Sequence, residues 1–297
     1  MTPLHCLLAV TDFSAPARHA ADRAARLAHE TGAQLTLMHV VSGRTLDELR
    51  LWLGASHSAE QQLLKDAAER LKLLADELAT ARRVTLQTQL ATGRVLDEIA
   101  HQADAASADL VVLGARGAGF LHRLMLGTTS ERLLRRSTQP LLVVKQTPRV
   151  PYRRVMVAVD FSPWSAHAIE TARRVAPHAR LLLLSAFEVP FEGKLQLAGV
   201  DTQTIEHYRR QAQASARQQL DTLAHQAGLK PGHWDTCVIE GDAGQRIVEQ
   251  EQEQDCDLVV IGKHGQSVAE ELFLGSVTKS VLAEGSSDVL VSVARAT

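Results

Sequence analysis

The sequence predicts an α/β protein of two tandem, doubly wound lobes, each a five-stranded parallel sheet flanked by helices. Three observations predict it. At 297 residues the chain has room for two domains of ordinary size. Long stretches recur: residues 7–14 (LLAVTDFS) return at 155–162 as VMVAVDFS, and residues 109–114 (DLVVLG) return at 257–262 as DLVVIG. Asp12 and Asp160, Gly93 and Gly241, Ile99 and Ile247, Gly114 and Gly262, and Gly127 and Gly275 are each 148 residues apart. That constant spacing implies a duplication without insertions between the landmarks. Within each copy, short apolar runs alternate with helical patterns, as in a parallel sheet covered on both faces. The joint falls at Thr147-Pro148-Arg149-Val150-Pro151, where two prolines interrupt regular structure. The lobes are therefore expected at residues 1–147 and 152–297.

The elements follow in order. Leu4–Val10 is a short apolar run that reads as a strand. Ser14–Glu30 is alanine-rich, with Ala17, Ala20, Ala21, Ala24, Leu27 and Ala28 at helical spacing. Leu35–Val41 is a second strand, and Ala59–Thr80 a long helix with Leu63, Leu64, Ala67, Leu71, Leu74 and Leu78 on one stripe. Its charged stretch, Asp66–Glu77, reads as a solvated face with i,i+4 pairs such as Asp66–Arg70. Val84–Leu90 alternates, Val95–Ala103 is a short helix, Leu110–Leu113 is a continuous apolar run and Thr128–Arg136 a last helix. Leu141–Val144 closes the copy. The second copy repeats the order from Arg154 to Val293.

Composition excludes several classes. Apolar residues make up 45% and charged residues 22%, ordinary for a globular chain and too apolar for disorder. Thirty-four acidic residues nearly balance thirty-two basic ones, for a net charge of −2. No long-range field would recruit nucleic acid or anionic lipid. The three cysteines are an odd number without a C-x-x-C pair, which argues against a disulfide framework or a zinc site. Cys6 reads as a small apolar filler. No run approaches about 18 apolar residues and no secretory pattern opens the chain. A soluble, cytoplasmic protein in a reducing compartment is the expectation, with neither membrane nor nucleic acid as partner.

Chemistry is expected beyond the carboxyl ends of the strands, where ligands sit in open parallel sheets. Strand four of the first copy runs into Gly114-Ala115-Arg116-Gly117, nine residues, then Gly127-Thr128-Thr129. The second copy gives Gly262-Lys263-His264-Gly265, nine residues, then Gly275-Ser276-Val277. This G-x-x-G-x9-G-[ST] element suits a phosphate. Glycines let main-chain N–H groups approach an anion, and a helix N-terminus attracts it. The same element also describes a tight strand–loop–helix turn with a Thr or Ser N-cap, which needs no ligand.

Asp12 and Asp160 close the first strand of each copy. Each suits either a contact to the base or sugar of a nucleotide or a helix cap. His39 follows the second strand, and its match at the 148 spacing is Phe187, which favours a packing or surface role. His19 and His167 do correspond, one turn into the first helix, and read as packing or capping residues. No P-loop, G-x-G-x-x-G, G-x-S-x-G or H-E-x-x-H pattern occurs, and no histidines recur at metal-ligand spacing. No catalytic residue or metal ligand is assigned.

With these residues in place, the chain resembles the universal stress protein family over its whole length, as a tandem pair. The landmarks are residues 10–14 (VTDFS), 37–41 (LMHVV), 109–114 (DLVVLG), the glycine element and 140–144 (PLLVV). The second copy matches at residues 159–162, Gly262–Ser276 and 289–291. The resemblance implies ATP as ligand, with or without Mg²⁺. Thr11, Asp12 and Val40 would line the adenine, Gly114 and Gly117 would flank ribose and phosphates, and Gly127, Thr128 and Thr129 would hold the phosphates. In the second lobe Val159, Asp160, Gly262, Gly265, Gly275, Ser276 and Val277 would serve.

Counted at 148, Val40 corresponds to Glu188, a carboxylate in place of an apolar adenine contact. The nine-residue spacer carries His122 and Arg123 in the first copy and Glu270 and Glu271 in the second. Both differences favour tighter binding in the first lobe. The resemblance also implies last strands that cover one another's edges, an internal pseudo-dimer, and leaves room for a homodimer. Three functions remain open: a non-enzymatic ATP-dependent stress-response protein, a nucleotide-free interaction scaffold, and a slow ATPase.

Overall fold

A computed structural model describes residues 3–53, 57–116, 127–188, 201–263 and 274–293. The chain divides into two compact units, Met1–Pro151 and Tyr152–Ser292. Each is an open, wholly parallel sheet with helices.

In lobe 1 the order is β1 (Cys6–Val10), α1 (Ala15–Thr31), β2 (Gln34–Ser42), α2 (Gly43–Leu53), α3 (His57–Arg82) and β3 (Leu86–Gly93). It continues with α4 (Val95–Ala105), β4 (Leu110–Gly114), α5 (Thr128–Arg136) and β5 (Leu141–Val144). The strands lie in the order β3-β2-β1-β4-β5, all parallel. The chain leaves β1 toward one edge, then crosses back to β4. The switch point, where a crevice opens at the carboxyl ends, lies between β1 and β4. Leu7, Leu8, Leu110, Val111, Val112 and Leu141–Val144 are all buried, the signature of strands covered on both faces.

Helix α1 shows how the residues position this crevice. Ser14 caps it by accepting from the Ala17 N–H, Pro16 occupies its first turn, and Gly32 ends it in the left-handed region at φ 74°. Its buried face is mostly alanine, which lets the helix lie close to the sheet. A Cβ on Gly114 would come within 2.8 Å of the Pro16 main chain. The glycine that ends β4 is thus required by the start of α1.

Three arginines fasten the joint to lobe 1. Arg82, Arg26 and Arg23 donate to the carbonyls of Pro148, Arg149 and Val150 respectively. Arg82 also holds Asp22 through two bonds, at 2.5 and 2.6 Å.

Lobe 2 repeats the plan with β6 (Arg154–Ala158), α6 (Trp164–Val175), β7 (Arg180–Phe187), α7 (Thr202–Gln226) and β8 (Trp234–Glu240). Then come α8 (Ala243–Glu253), β9 (Leu258–Gly262), α9 (Ser276–Glu284) and β10 (Asp288–Ser292). The parallel order is β8-β7-β6-β9-β10.

Two expectations need correction. Helix α2 is absent from the sequence reading, which left Gly43–Leu53 unassigned. The duplication is also not free of insertions. Val10 pairs with Met38, and its match Ala158 pairs with Leu184, so these partners are 146 residues apart rather than 148. Leu35 pairs with Leu86, and Leu181 with Trp234, which restores 148 by β8. The connection through α6 is two residues shorter than that through α1, and the one from β7 to β8 two residues longer. The landmarks flank this pair of changes and so conceal it.

Candidate functional site

At the end of β1 the Thr11 N–H donates to the Met38 carbonyl at 2.9 Å, the last rung to β2. The chain then turns sharply through Phe13 at φ 64°. A left-handed non-glycine costs on the order of 1–2 kcal/mol, and the neighbours hold it there. The Phe13 N–H donates to Thr11 Oγ1 and the Ser14 N–H to Asp12 Oδ1, both at 3.0 Å. Asp12 therefore closes the turn, while Ser14 caps the helix. In lobe 2 Phe161 has φ 62°. There Asp160 Oδ1 accepts from the Ser162 N–H at 3.0 Å and from Ser165 Oγ at 2.9 Å. Neither aspartate is the N-cap of its helix: Ser14 caps α1, and Pro163, without a side-chain cap bond, precedes α6.

The register of β2 settles what faces the crevice. In a parallel strand the N–H and C=O of one residue point to the same side, alternating along the chain. Met38 faces β1 through its bond to Thr11, so Val40 faces the same side, where β1 has already left the sheet. In lobe 2 Val159 donates to the Leu184 carbonyl at 2.8 Å, so Leu184 matches Met38 and Ala186 matches Val40. The correspondence of Val40 to Glu188 is overturned. Glu188 lies exposed beyond β7, and the carboxylate objection to base binding in lobe 2 falls with it. Likewise Ser185, not Phe187, matches His39.

His39 lies at the mouth of this crevice. Its Nδ1 bonds the Thr11 carbonyl at 2.7 Å, and its ring packs 4.4 Å from the Phe13 ring. The Arg70 guanidinium lies 4.6 Å over the other ring of that pair, Phe13. Arg70 thus turns to Phe13, while Asp66, its expected i,i+4 partner, takes a bond from Gln62. Burial lowers the His39 pKa below the ordinary histidine value, against the raising effect of the Thr11 carbonyl and Asp12. Sequence reasoning gave His39 a packing or surface role because Phe187 stood at the 148 spacing; the bond to the Thr11 carbonyl is a contact that spacing does not reveal. His19 stands 3.5 Å from Thr147 Oγ1, and His167 is 3.9 Å from Glu170.

Across the switch point, α5 begins at Gly127. The Gly127 N–H donates to the Ala115 carbonyl at 2.8 Å, and the buried Ser130 hydroxyl donates to the Gly114 carbonyl at 3.0 Å. Lobe 2 copies both bonds: Gly275 N–H to Lys263 O at 3.3 Å, and Thr278 Oγ1 to Gly262 O at 3.0 Å. The sequence reading gave Ser130 and Thr278 no role, although they match at 148. The N-caps of α5 and α9 are the glycines themselves, and neither helix has a side-chain cap bond. The alternative of a Thr or Ser N-cap is therefore overturned; the hydroxyls of Ser130 and Thr278, three residues on, serve the strand end instead.

A Cβ on Gly275 would sit 3.7 Å from its nearest neighbours, an ordinary contact, at φ −56°. Among the described residues, nothing in the packing demands a glycine there. Thr129 and Ser276 are exposed and Val277 half-buried at these helix starts. Gly117, Gly265, both spacers with their charges, and the Thr128 side chain lie outside the described residues.

The universal stress protein family model matches residues 5–145 and again 151–292. A universal stress protein of Mycolicibacterium smegmatis is 28% identical, with 96% of each chain covered. One from Mycobacterium tuberculosis is 25% identical over 87% of this chain and 86% of its own. Among solved structures, a universal stress protein from Archaeoglobus fulgidus shares the fold with a TM-score of 0.69 at 18% identity, covering 98% of both chains. A putative one from Pseudomonas aeruginosa scores 0.64 at 20% identity, covering 98% of this chain and 94% of that one. With both halves of its sequence matched by one family model and its α/β fold shared with solved members, the chain belongs to the universal stress protein family and carries that domain twice.

Proposed function

We propose that the protein binds ATP or a related adenine nucleotide in each lobe and acts in the stress response through nucleotide-dependent interactions, without catalysing a reaction. One observation carries this reading. In both lobes a helix starts directly beyond the switch point on an uncapped glycine, with its first turn pinned to the strand end by Ser130 or Thr278. Main-chain donors and the positive helix end there suit a polyphosphate. At the other end of the crevice, Val40 and Ala186 each offer an adjacent N–H and C=O, which suit the paired acceptor and donor of the adenine edge. Thr11, Asp12, Val159 and Asp160 shape the turn between the two ends.

A magnesium ion entering with ATP would keep phosphate oxygens and water as its ligands. Among the described residues no three His, Cys, Asp or Glu side chains converge to hold one.

Mass spectrometry of what natively purified protein releases on denaturation tests the reading. Adenine nucleotide is the expected finding. Release of nothing, with no uptake at millimolar ATP, would leave the interaction scaffold. Turnover of labelled ATP that disappears in Asp12→Asn would instead establish the slow ATPase.

A further inference from the structure

We propose that the free edge of β3 in lobe 1 is an interaction surface for a second copy of this chain, paired antiparallel about a two-fold axis. The inference stands on the sheet alone and is independent of the nucleotide reading.

In lobe 1, β3 pairs with β2 on one side and has no strand on the other. Because Met38 turns its main chain to β1, His39 turns its own to β3, where its register partner is Leu90. The groups that meet those of His39 belong to Gln89 and Ala91. Leu86, Thr88, Leu90 and Thr92 therefore point their N–H and C=O away from the sheet. Among the described residues none of these outward groups has a hydrogen-bond partner, and Thr88 and Thr92 are exposed.

An unpaired edge is a hazard that proteins blunt with charges, proline, bulges or a short strand. None of these devices is present in β3. Its register to β2 runs unbroken through eight consecutive pairs, and LQTQLATG contains neither charge nor proline. The outer strand of lobe 2 is guarded by contrast. There β8 carries Asp235, held by two bonds from Arg180, and Glu240, ion-paired with Arg209 at 2.6 Å.

A second copy suits the unguarded edge better than a foreign peptide. With the axis through Gln89, Thr88 of each copy meets Leu90 of the other and Leu86 meets Thr92, so every outward rung is matched. No like charges face one another in that pairing, and the edge offers no ionic group with which to select a different sequence. A two-fold contact also closes after two copies instead of growing into a fibre.

Light scattering on the intact chain during gel filtration tests this. The parent is expected at twice the chain mass of 32.3 kDa. Thr88→Pro removes an outward N–H without touching the β2 ladder, a change that edge strands tolerate, and is expected to halve that mass. Thr236→Pro makes the same change on the outward side of β8 and is expected to leave the double mass. Thr88→Lys keeps the main chain intact and sets like charges diagonally across the axis, which is expected to raise the dissociation constant about tenfold. Melting curves verify that each variant is folded. A parent of single mass would overturn the proposal and leave the edge to an extended segment of another protein. So would a folded Thr88→Pro of double mass, a Thr88→Lys that dissociates no more readily than the parent, or loss of the dimer in Thr236→Pro as well.

Discussion

Two glycines in equivalent motifs have different physical reasons to be glycine. At Gly114 a Cβ would collide with the main chain of Pro16, whereas at Gly275 it would meet only ordinary contacts among the described residues. Gly114→Ala should therefore destabilise the fold by about 1–3 kcal/mol, the usual cost of overpacking. Gly275→Ala should stay within about 1 kcal/mol of the parent yet weaken nucleotide binding in lobe 2. Thermal unfolding and titration of the two variants check both halves. Cys256 gives a pH signature of its own, since burial pushes its thiol up to about 12 from the ordinary 9.0. The native thiol stays neutral where the unfolded one ionises. Its contribution is full below pH 9 and is lost as pH rises toward 12. Denaturant unfolding of Cys256→Ala at a series of alkaline pH values should show a flatter decline than the parent.

At the scale of elements, the sequence resolved strands and long helices because their apolar spacing is strong. It placed Asp12 and Gly114 at the strand ends for the same reason, and Gly127 at the start of the helix that follows. Besides helix α2, it missed three things. Ser130 and Thr278 look like ordinary helix residues, and only their bonds to the Gly114 and Gly262 carbonyls show that they seat the helix start. Phe13 and Phe161 sit at positive φ, where the residue type gives no hint. The matches of Val40 and His39 were misassigned because compensating length changes in two connections leave every landmark in step. Hydrogen-bonding partners, not spacing, restore Ala186 and Ser185 to their places. Ser130→Ala should cost about 1–2 kcal/mol by orphaning a buried carbonyl contact and should loosen the first turn of α5. Faster amide exchange at that turn, with α1 unchanged, is the expected measurement.

For the molecule as a whole, duplication has kept the main-chain architecture while letting side chains diverge. Both lobes retain the turn at β1 or β6, the uncapped glycine start and the hydroxyl pin. Lobe 1 alone has His39 against Thr11, while lobe 2 adds Ser165 on Asp160. On the proposed reading, amides that both lobes present would grip the nucleotide, and the side chains around them would set differences of affinity. Calorimetric titration of ATP into the nucleotide-stripped chain tests this most directly. It should give two sites per chain, one abolished by Gly127→Val and the other by Gly275→Val, with the tighter one in lobe 1. Absence of saturable binding at millimolar ATP, or binding that survives both substitutions together, would contradict it.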